Sequence, residues 1–385
     1  MGIDTLRRDS VVTSKPEKIL IVGGGIAGLA AAIGLQRRGF DVDIVEKNSK
    51  WSVYHVGIVV QHNFVRALQA LGLAEEAVAA GFPYNGSQFR DLDGSFLEDL
   101  PAGEIDGLPA NLGLTRPALH KVLQDKVKAL GVPVRVGVTF DRLDDDGDKV
   151  HVDFTDGSSG DYDFVIGADG NYSAVRKAVF PEAADPAYTG QGVWRYNLPR
   201  PADMHHGEIY VGKEKGKVGA IPLSTDTMYI WAVFEEEGNP FFPRGTLAAE
   251  MRKRLEGYGG RMAAWREMIT DNDLVVYRPL EAVIMPDPWY KGRVMLIGDA
   301  AHSATPHLGQ GAAMAVEDAV VLSEELGNCD TLEQALENTM RRRFDRAKYI
   351  GMSSIQIGNW EMEGNRDNDA MRLHHEVRRK LSDPI

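Results

Sequence analysis

Three glycines near the beginning of the chain, Gly23, Gly25 and Gly28, have the spacing of a turn that binds phosphate. The first glycine permits a tight turn, the second lets backbone amides approach a pyrophosphate, and the third lets a helix pack closely on the preceding strand. Ile26 and Ala27 begin that predicted helix, whose free amino-terminal amides face the phosphate charge. These residue types and their spacing predict the recognition of a dinucleotide.

An acidic residue follows this turn at a characteristic distance. Glu46 lies 18 residues after Gly28, at the end of the next apolar segment. A carboxylate at this position can accept hydrogen bonds from the ribose hydroxyls of a bound dinucleotide. Its charge would repel a 2′-phosphate, so the sequence favours FAD or NAD over NADP as the nucleotide held here.

A second glycine-containing turn occurs in LIGDAAHSATPHLGQGAAMAVEDA, residues 296–319. Asp299 ends an apolar strand there, where its carboxylate could hold a flexible polyol chain. A helix follows, and its first amides could stabilise an anionic ring system. A flavin dinucleotide has both a polyol and such a ring, and it is long enough to need two separate turns. The other residues of this turn predicted to contact it are Pro306, Gly309, Gln310, Gly311 and Ala312.

The segments around these turns indicate how they are positioned. KILIVGG, IAGLAAAIGLQRRGF and DVDIVEK have the patterns of a strand, a helix and a strand of a parallel sheet. Between about 185 and 285, short segments such as TMYIWAVF alternate in residue type, which predicts an antiparallel sheet. RVMLIGD then returns to the buried-strand pattern. We predict an α/β fold in which a Rossmann-like FAD-binding domain with a parallel sheet is interrupted by an antiparallel-sheet substrate domain.

These patterns also give domain boundaries. The FAD-binding domain is predicted to be discontinuous, because the parallel-strand pattern stops and later resumes. The charged carboxyl-terminal region is predicted to be a peripheral helix or to be partly disordered. The predicted boundaries are 1–16 for a flexible extension, 17–80, 105–182 and 286–350 for the FAD-binding domain, 81–104 and 183–285 for the substrate domain, and 351–385 for the helical, charged tail.

Composition limits the classes of function. The 385 residues include 43 basic and 56 acidic side chains, and the formal net charge of −13 disfavours binding to nucleic acid or to anionic membranes. No apolar run reaches the roughly 18 residues of a membrane span. The single cysteine, Cys329, excludes an internal disulfide and a multi-cysteine metal site. We therefore predict a cytoplasmic protein without a metal centre.

Three segments, in order along the chain, resemble one enzyme family. DFVIGADGNYSAVR (163–176) is similar to a signature of the flavoprotein aromatic hydroxylases, the single-component FAD monooxygenases of the p-hydroxybenzoate and salicylate hydroxylase type. GDAAHSATPHLGQG resembles the ribityl-binding motif of that family, and LTRPALHKVL resembles its helix with an FAD-contacting arginine. The resemblance implies that Arg116 and Asp169 contact FAD, and that Lys47 or Lys50 takes the place of an arginine that relatives use against the pyrophosphate.

The resemblance also implies a reaction. NADH or NADPH binds transiently and passes a hydride to FAD, O₂ adds at flavin C4a, and the terminal oxygen of the hydroperoxide reaches a small aromatic or N-heteroaromatic ring. The protein must orient the ring, stabilise charge and keep water away. This chemistry needs neither a metal nor a nucleophilic triad, and the sequence contains no H-E-x-x-H or G-x-S-x-G motif.

The predicted substrate residues lie on the antiparallel segments and in the second turn. Lys217 and Tyr229 fall on consecutive strands, and hairpin pairing could place them on one face, where a cation beside a phenol could bind an acidic ring. Their positions resemble the substrate-contacting Arg/Tyr positions of flavin-dependent urate hydroxylases; the alternative is a surface lysine and a packed tyrosine. His307 is predicted to contact the substrate or relay a proton, whereas Trp194 and His302 are predicted to be structural.

Some alternatives remain open at this point. The same scaffold could carry out epoxidation, N-oxidation or dehydrogenation, and a flavin-binding regulatory module would need no substrate. The segment MRRRFDR, residues 340–346, is predicted to be an exposed helix face whose arginines could meet a second copy of the chain in a homodimer.

Overall fold

The structure is a computed structural model that describes residues 15–102, 104–211, 216–364 and 369–385. The predicted flexible extension, residues 1–16, lies outside the described residues except for its last two positions. The strands are β1 (Lys18–Val22), β2 (Asp41–Glu46), β3 (Gly57–Gln61), β4 (Phe82–Pro83), β5 (Ser87–Arg90), β6 (Phe96–Leu100), β7 (Glu104–Ile105), β8 (Leu108–Pro109), β9 (Asn111–Thr115), β10 (Val134–Val136), β11 (Phe140–Asp145), β12 (Val150–Phe154), β13 (Ser159–Tyr162), β14 (Phe164–Gly167), β15 (Ala187–Pro199), β16 (Gly207–Tyr210), β17 (Gly216–Pro222), β18 (Thr227–Glu235), β19 (Val276–Ile284), β20 (Tyr290–Lys291) and β21 (Val294–Leu296). The helices are α1 (Ile26–Gln36), α2 (His62–Ala70), α3 (Ala74–Ala79), α4 (Arg116–Ala129), α5 (Ala174–Val179), α6 (Leu247–Arg254), α7 (Gly260–Glu267), α8 (Asp299–His302), α9 (Gly311–Asn328), α10 (Leu332–Met362) and α11 (Asp369–Ser382), with short 3₁₀ helices at Arg244–Thr246 and Pro306–Leu308.

The first sheet carries both glycine-containing turns. In the described part of the chain its strand order is β10-β2-β1-β14-β21-β20, and every pair is parallel except the one between β20 and β21. Strand β1 is buried over four of its five residues, as its continuous apolar run predicts. Because β1 and β21 flank β14, the turns that follow β1 and β21 lie at the same edge of the sheet.

The second sheet is formed largely by the middle of the chain. Its order is β19-β15-β18-β17-β16-β5-β6, and it is antiparallel except where β16 runs parallel to β5. One face, with Trp194, Met228 and Ile230, packs on α6 and α7 in a hydrophobic cluster. The opposite face is therefore free to cover the first sheet's ligand edge. The predicted α/β fold, a parallel sheet interrupted by an antiparallel one, is confirmed.

The carboxyl-terminal region packs against the rest of the chain. Residues 351–362 continue α10, and α11 buries Val377 and Leu381 in the main hydrophobic core. Arg66 donates hydrogen bonds to the carbonyl oxygens of Leu381, Ser382 and Asp383, where the carboxyl-terminal end of α11 concentrates negative charge. Most of the other described residues of α11 are exposed or half-buried, so the described part of this tail forms a peripheral helix, one of the two predicted alternatives.

The prediction that MRRRFDR forms an exposed helix face is wrong for its central arginine. Arg343 is fully buried in α10 and donates hydrogen bonds to Glu317 at 2.6 Å and to Asp318 at 2.8 Å. The pattern of residue types could not show this, because both carboxylates come from α9. Arg341, in contrast, is exposed. No helix in the described ranges combines the length and the apolar composition needed to cross a bilayer.

Candidate cofactor and substrate site

A continuous cavity of about 1340 Å³ connects the two glycine-containing turns. Single small-molecule pockets typically occupy roughly 300–1,000 Å³, so this cavity can hold a dinucleotide together with a second molecule. Its wall includes Arg116 and Asp299 between the turns. The predicted turn residues that line it are Gly25, Ile26, Ala27, Pro306, Gly309, Gln310, Gly311 and Ala312.

The three glycines of the first turn have different surroundings. A Cβ atom on Gly23 would lie 2.4 Å from the carbonyl oxygen of Ala168, and Gly23 has a φ of +113°. A Cβ atom on Gly28 would lie 1.9 Å from the carbonyl oxygen of Gly23, whereas one on Gly25 would have no atom within 4 Å. Gly23 and Gly28 therefore permit close backbone packing, and Gly25 keeps the cavity open at the start of α1.

Glu46 reaches the first turn from the end of β2. Its carboxylate accepts hydrogen bonds from the amides of Gly24 at 2.8 Å and Asn48 at 2.7 Å. The Trp51 indole donates a hydrogen bond to the Gly24 carbonyl oxygen at 3.0 Å, and His120 Nε2 lies 2.9 Å from the same oxygen. Sequence reasoning missed Trp51 and His120, since neither spacing nor residue type indicated this contact.

Three predicted cofactor contacts, Glu46, Lys47 and Asp169, are not among the residues that line the cavity. Lys47 is exposed and does not line the wall, although the next residue, Asn48, does. The Asp169 carboxylate accepts hydrogen bonds from Ser173 Oγ at 2.5 Å and from the amides of Ala174 at 2.7 Å and Val175 at 3.1 Å. Asp169 thus stabilises the beginning of α5, as a helix cap does.

Asp299 stands between the two turns. It begins α8, and a Cβ atom on Gly311 would lie 4.0 Å from its Oδ1. A Cβ atom on the preceding Gly298 would lie 3.0 Å from that of Ala27, which brings α1 and α8 into close approach. Burial by the cavity wall raises the pKa of Asp299, while His302 and Arg116 oppose this shift. The carboxylate is therefore placed to accept hydrogen bonds from a ligand that spans both turns.

A buried ionic cluster holds the second turn from beneath. Asp318 accepts hydrogen bonds from the Gly298 amide at 2.9 Å and from Arg343 Nε at 2.8 Å, and its Oδ2 lies 2.6 Å from His302 Nε2. Burial acts to raise the pKa of Asp318, but His302 and Arg343 outweigh it and the pKa is lowered. His302 therefore has the structural position that the sequence predicted.

The cavity also contains a polar group without a partner. Gln310 Oε1 accepts a hydrogen bond from Asn63 at 2.9 Å, but its buried Nε2 has no hydrogen-bond acceptor among the described residues. A ligand with carbonyl oxygens at this position would satisfy that donor. Together with the open start of α1 and the Asp299 carboxylate, this donor fits a flavin dinucleotide. Such a group supplies hydride acceptance and reaction with O₂ when it is bound.

The antiparallel sheet closes the cavity with one face of its central strands. Arg195 pairs with Trp231 and Asn197 pairs with Tyr229 across β15 and β18, so Arg195, Tyr229 and Trp231 share that face. Burial and the nearby Arg116 lower the pKa of Arg195 to about 10, and burial raises the pKa of Tyr229 to about 12. At neutral pH the arginine is charged and the phenol is protonated.

Lys217 lines the same cavity but does not stand beside Tyr229. Across β17 and β18, Lys217 pairs with Val233 and Ile221 pairs with Tyr229, so the two predicted residues share a face but are separated along it. Lys217 Nζ instead lies 3.2 Å from Glu361 Oε1. The cation nearer to Tyr229 is Arg195. Glu361 could not be identified from the sequence, because it comes from α10, 144 residues later.

His307 and Trp194 occupy different surroundings. The His307 side chain is 1% exposed, lines the cavity, and has its Nε2 3.4 Å from Glu361 Oε2. Trp194 is fully buried on the opposite face of the sheet and donates a hydrogen bond to Glu236 at 2.9 Å, so it is part of the core as predicted. No group of three or more residues able to hold a metal ion is present in the described ranges.

Comparisons with known proteins agree with this arrangement. The FAD binding domain family matches residues 17–338. The chain is 33% identical over 354 residues to 2-heptyl-3-hydroxy-4(1H)-quinolone synthase from Pseudomonas aeruginosa, which covers 89% of this chain and 90% of the relative. It is 28% identical over 346 residues to an FAD-dependent urate hydroxylase from Klebsiella pneumoniae, covering 86% and 87% of the two chains.

A solved structure shows the same fold. The crystal structure of Klebsiella pneumoniae HpxO complexed with FAD and uric acid has a TM-score of 0.83, with 25% identity over 94% of this chain and 96% of that one. The similarity extends over both glycine-containing turns and the antiparallel sheet, and the predicted family and cofactor are confirmed. The chain therefore belongs to the FAD-dependent aromatic monooxygenases.

Proposed function

We propose that the protein uses NADH or NADPH and O₂ to hydroxylate a small N-heteroaromatic ring. One cavity supports this proposal. Asp299 and the second turn line one side of it, and the sheet face with Arg195, Tyr229 and Lys217 lines the other. A ring bound against that sheet face would lie next to the flavin. Two relatives support the substrate class, because one is named for a quinolone and HpxO binds uric acid.

The side chains of the sheet face have distinct roles in this proposal. The protonated phenol of Tyr229 donates a hydrogen bond to an oxygen or nitrogen of the ring. The charged Arg195 stabilises negative charge as it develops, since none of the ion pairs among the described residues involves it. Ile221, Trp231 and Val233 give the wall its apolar area, which excludes water from the reacting atoms.

The proposed division of the chain follows the sequence-predicted boundaries. Arg116, Asp299 and the glycine-containing turns hold FAD, and Glu46 faces the ribose of its adenosine half. Asp169 acts through α5, next to the wall residues Ala168 and Gly170. The FAD-binding segments are 17–80, 105–182 and 286–350, and the substrate-covering segments are 81–104 and 183–285.

Substrate-dependent oxidation of NADH and NADPH tests this function. The protein, purified with bound FAD, is mixed with phenols, benzoates, quinolones and purines, and the products are analysed by mass spectrometry. We expect one ring class to stimulate oxidation and to gain one oxygen atom. Oxidised product without added oxygen would instead favour a dehydrogenase on the same scaffold, and peroxide release unaffected by every ring would favour a regulatory flavoprotein.

The same assay tests the role of Tyr229. We expect Tyr229→Phe to lower kcat/KM for the stimulating ring by about tenfold, the effect of losing one hydrogen bond of ~1.4 kcal/mol. Tyr196→Phe is the matched control, because Tyr196 is buried on the opposite face of the same sheet. Equal losses in the two variants would contradict a contact between Tyr229 and the ring.

We further propose a cytoplasmic location, which rests on the single cysteine, Cys329. A homodimer also stays a proposal. Arg343 is buried and so does not contribute to an interface, whereas Arg342 is partly exposed and paired with two carboxylates of α9 in the same chain. Size-exclusion chromatography with light scattering would measure the oligomeric state.

A further inference from the structure

Three polar side chains from distant elements meet at one end of the cavity. Lys217 comes from β17, Glu361 from the last turn of α10, and His307 from the 3₁₀ helix of the second turn. The two Glu361 oxygens lie 3.2 Å from Lys217 Nζ and 3.4 Å from His307 Nε2. Lys217 and Glu361 remain 22% and 21% exposed, so both have bonding capacity directed to the cavity.

Glu361 is ionised at neutral pH. Burial acts to raise the pKa of Glu361, but Lys217 and His307 outweigh it and lower the pKa to about 2. His374 of α11 also lines this end, and burial together with Lys217 lowers its pKa to about 3, so it is neutral. Lys217 Nζ is paired with the Glu361 carboxylate, so the two side chains present a hydrogen-bond donor beside an acceptor. Arg378 of α11 lines the same cavity and acts on His374.

Two further arginines, Arg195 and Arg116, also line the cavity. Arg195 is close enough to Arg116 for the two charges to disfavour each other, and Arg116 in turn acts on Asp299. Arg195 belongs to the sheet face proposed to bind the ring, whereas Arg116 and Asp299 lie between the two turns. Lys217 differs from Arg195 in having a carboxylate oxygen 3.2 Å from its Nζ, whereas none of the ion pairs among the described residues involves Arg195.

We infer that Lys217 and Glu361 together bind the edge of an uncharged ring that carries a carbonyl acceptor and an N–H donor, and that Glu361 selects against ring carboxylates. The inference rests on the proposed function and names its substrate class. An ammonium only donates hydrogen bonds and a carboxylate only accepts them, so the pair complements a cyclic amide. A ring carboxylate would face Glu361 directly, and like charges placed together in an interface are strongly unfavourable.

A matched pair of bicyclic ligands tests the inference by binding alone. Isothermal titration calorimetry on the FAD-loaded protein compares quinolin-2(1H)-one, an uncharged cyclic amide, with quinoline-2-carboxylate. We expect the wild-type protein to bind the cyclic amide at least about tenfold more tightly, because the amide can form hydrogen bonds with both charged groups and the carboxylate cannot. Glu361→Gln removes the carboxylate that pairs with Lys217. We expect this variant to bind the cyclic amide about tenfold more weakly and the ring carboxylate about tenfold more tightly than the wild-type protein does.

Two further variants complete the experiment. Glu363→Gln removes an exposed carboxylate from the residues that follow α10 and is expected to leave both affinities unchanged. Lys217→Met is expected to bind the cyclic amide more weakly and the ring carboxylate no more tightly than the wild-type protein does. If Glu361→Gln does not fold, this variant alone tests whether the pair binds the ring edge. Equal binding of the two ligands by the wild-type protein, or equal behaviour of Glu361→Gln and Glu363→Gln, would overturn the inference.

The outcome is distinguishable from a failure of the proposed function. If rings stimulate NAD(P)H oxidation and gain oxygen while the Glu361 variant keeps the wild-type preference, the inference fails and the function stands. If no ring in the panel is oxygenated and neither ligand binds, both are overturned.

Discussion

Gly28 lies so close to Gly23 that a Cβ atom on Gly28 would stand 1.9 Å from the Gly23 carbonyl oxygen. This contact fixes the start of α1 against the turn after β1. Gly25, between them, has an extended backbone, with φ −82° and ψ −170°, and space around its Cα. The same motif therefore contains one glycine that the fold requires and one that the ligand requires.

Alanine substitutions separate these two requirements. We expect Gly28→Ala to lower the free energy of unfolding of the FAD-free protein by ~1–3 kcal/mol or more, as overpacking does. Gly25→Ala is expected to leave that stability unchanged and to lower FAD affinity by about tenfold, or ~1.4 kcal/mol, because its methyl group projects into the cavity. Urea unfolding and FAD titration measure the two quantities. The distinction fails if both variants lose stability equally.

Two aspartates that the sequence assigns to FAD have different roles in the structure. Asp299 opens into the cavity, whereas Asp169 accepts hydrogen bonds from Ser173 and two α5 amides. We expect Asp299→Asn to weaken FAD binding by about tenfold through loss of a charged acceptor. Asp169→Ala is expected to cost ~0.5–2 kcal/mol of stability, as the loss of a helix cap does.

Each variant serves as the control for the other. FAD dissociation constants are measured by fluorescence quenching at a temperature where both proteins are folded. Comparable losses of FAD affinity would show that Asp169 contacts the cofactor directly, as the family resemblance implies, and would contradict its assignment to α5.

Local patterns were sufficient to predict the first turn, because a strand, three glycines and a helix lie within about 20 residues. The same holds for the second turn, where Asp299 and Gly311 are close in sequence and in space. Lys217 could be placed on the cavity face from strand alternation alone. Its partner Glu361 could not, since the pairing depends on how α10 crosses the sheet.

Charged side chains were the least predictable feature. Arg343 has the sequence surroundings of a surface arginine, but it is buried against Glu317 and Asp318. In the same way Trp51 and His120 converge on one carbonyl oxygen from separate elements. Such contacts depend on tertiary packing, so residue type and spacing carry no signal for them.

The buried arginine supports a prediction about stability. Arg343→Met leaves Glu317 and Asp318 without one of their buried cations, and removing one partner of such a pair costs ~3–5 kcal/mol. Arg341→Met is the matched control two positions earlier in the same helix, where Arg341 is exposed and the expected change is within about 0.5 kcal/mol. Urea unfolding of both FAD-free variants checks the difference. Similar values would mean that the ionic cluster contributes little to holding α9 and α10 together.

The low pKa of Glu361 predicts how stability depends on pH. Burial alone would raise this pKa, but Lys217 and His307 lower it to about 2, below the ordinary value of 4.5 that applies to the unfolded chain. The unfolded chain therefore takes up the proton first as pH falls, and the stabilisation by Glu361 is complete above pH 4.5 and is lost toward about pH 2. We expect the stability difference between the wild-type protein and Glu361→Gln to be constant from pH 7 to about pH 5 and to narrow as the pH falls from about 4.5 toward 3.

Unfolding of the FAD-free proteins by urea, measured at intervals from pH 7 to pH 3, checks this dependence. Glu363→Gln, measured in parallel, reports the effect of removing an exposed carboxylate near the same helix end. Lys217→Met should raise the pKa of Glu361, because Lys217 is the largest influence that favours the charged carboxylate. The pH range over which the stabilisation by Glu361 is lost should then move to higher pH. A difference between wild type and Glu361→Gln that stays constant over the whole range would show that the carboxylate is not stabilised by the two cavity side chains.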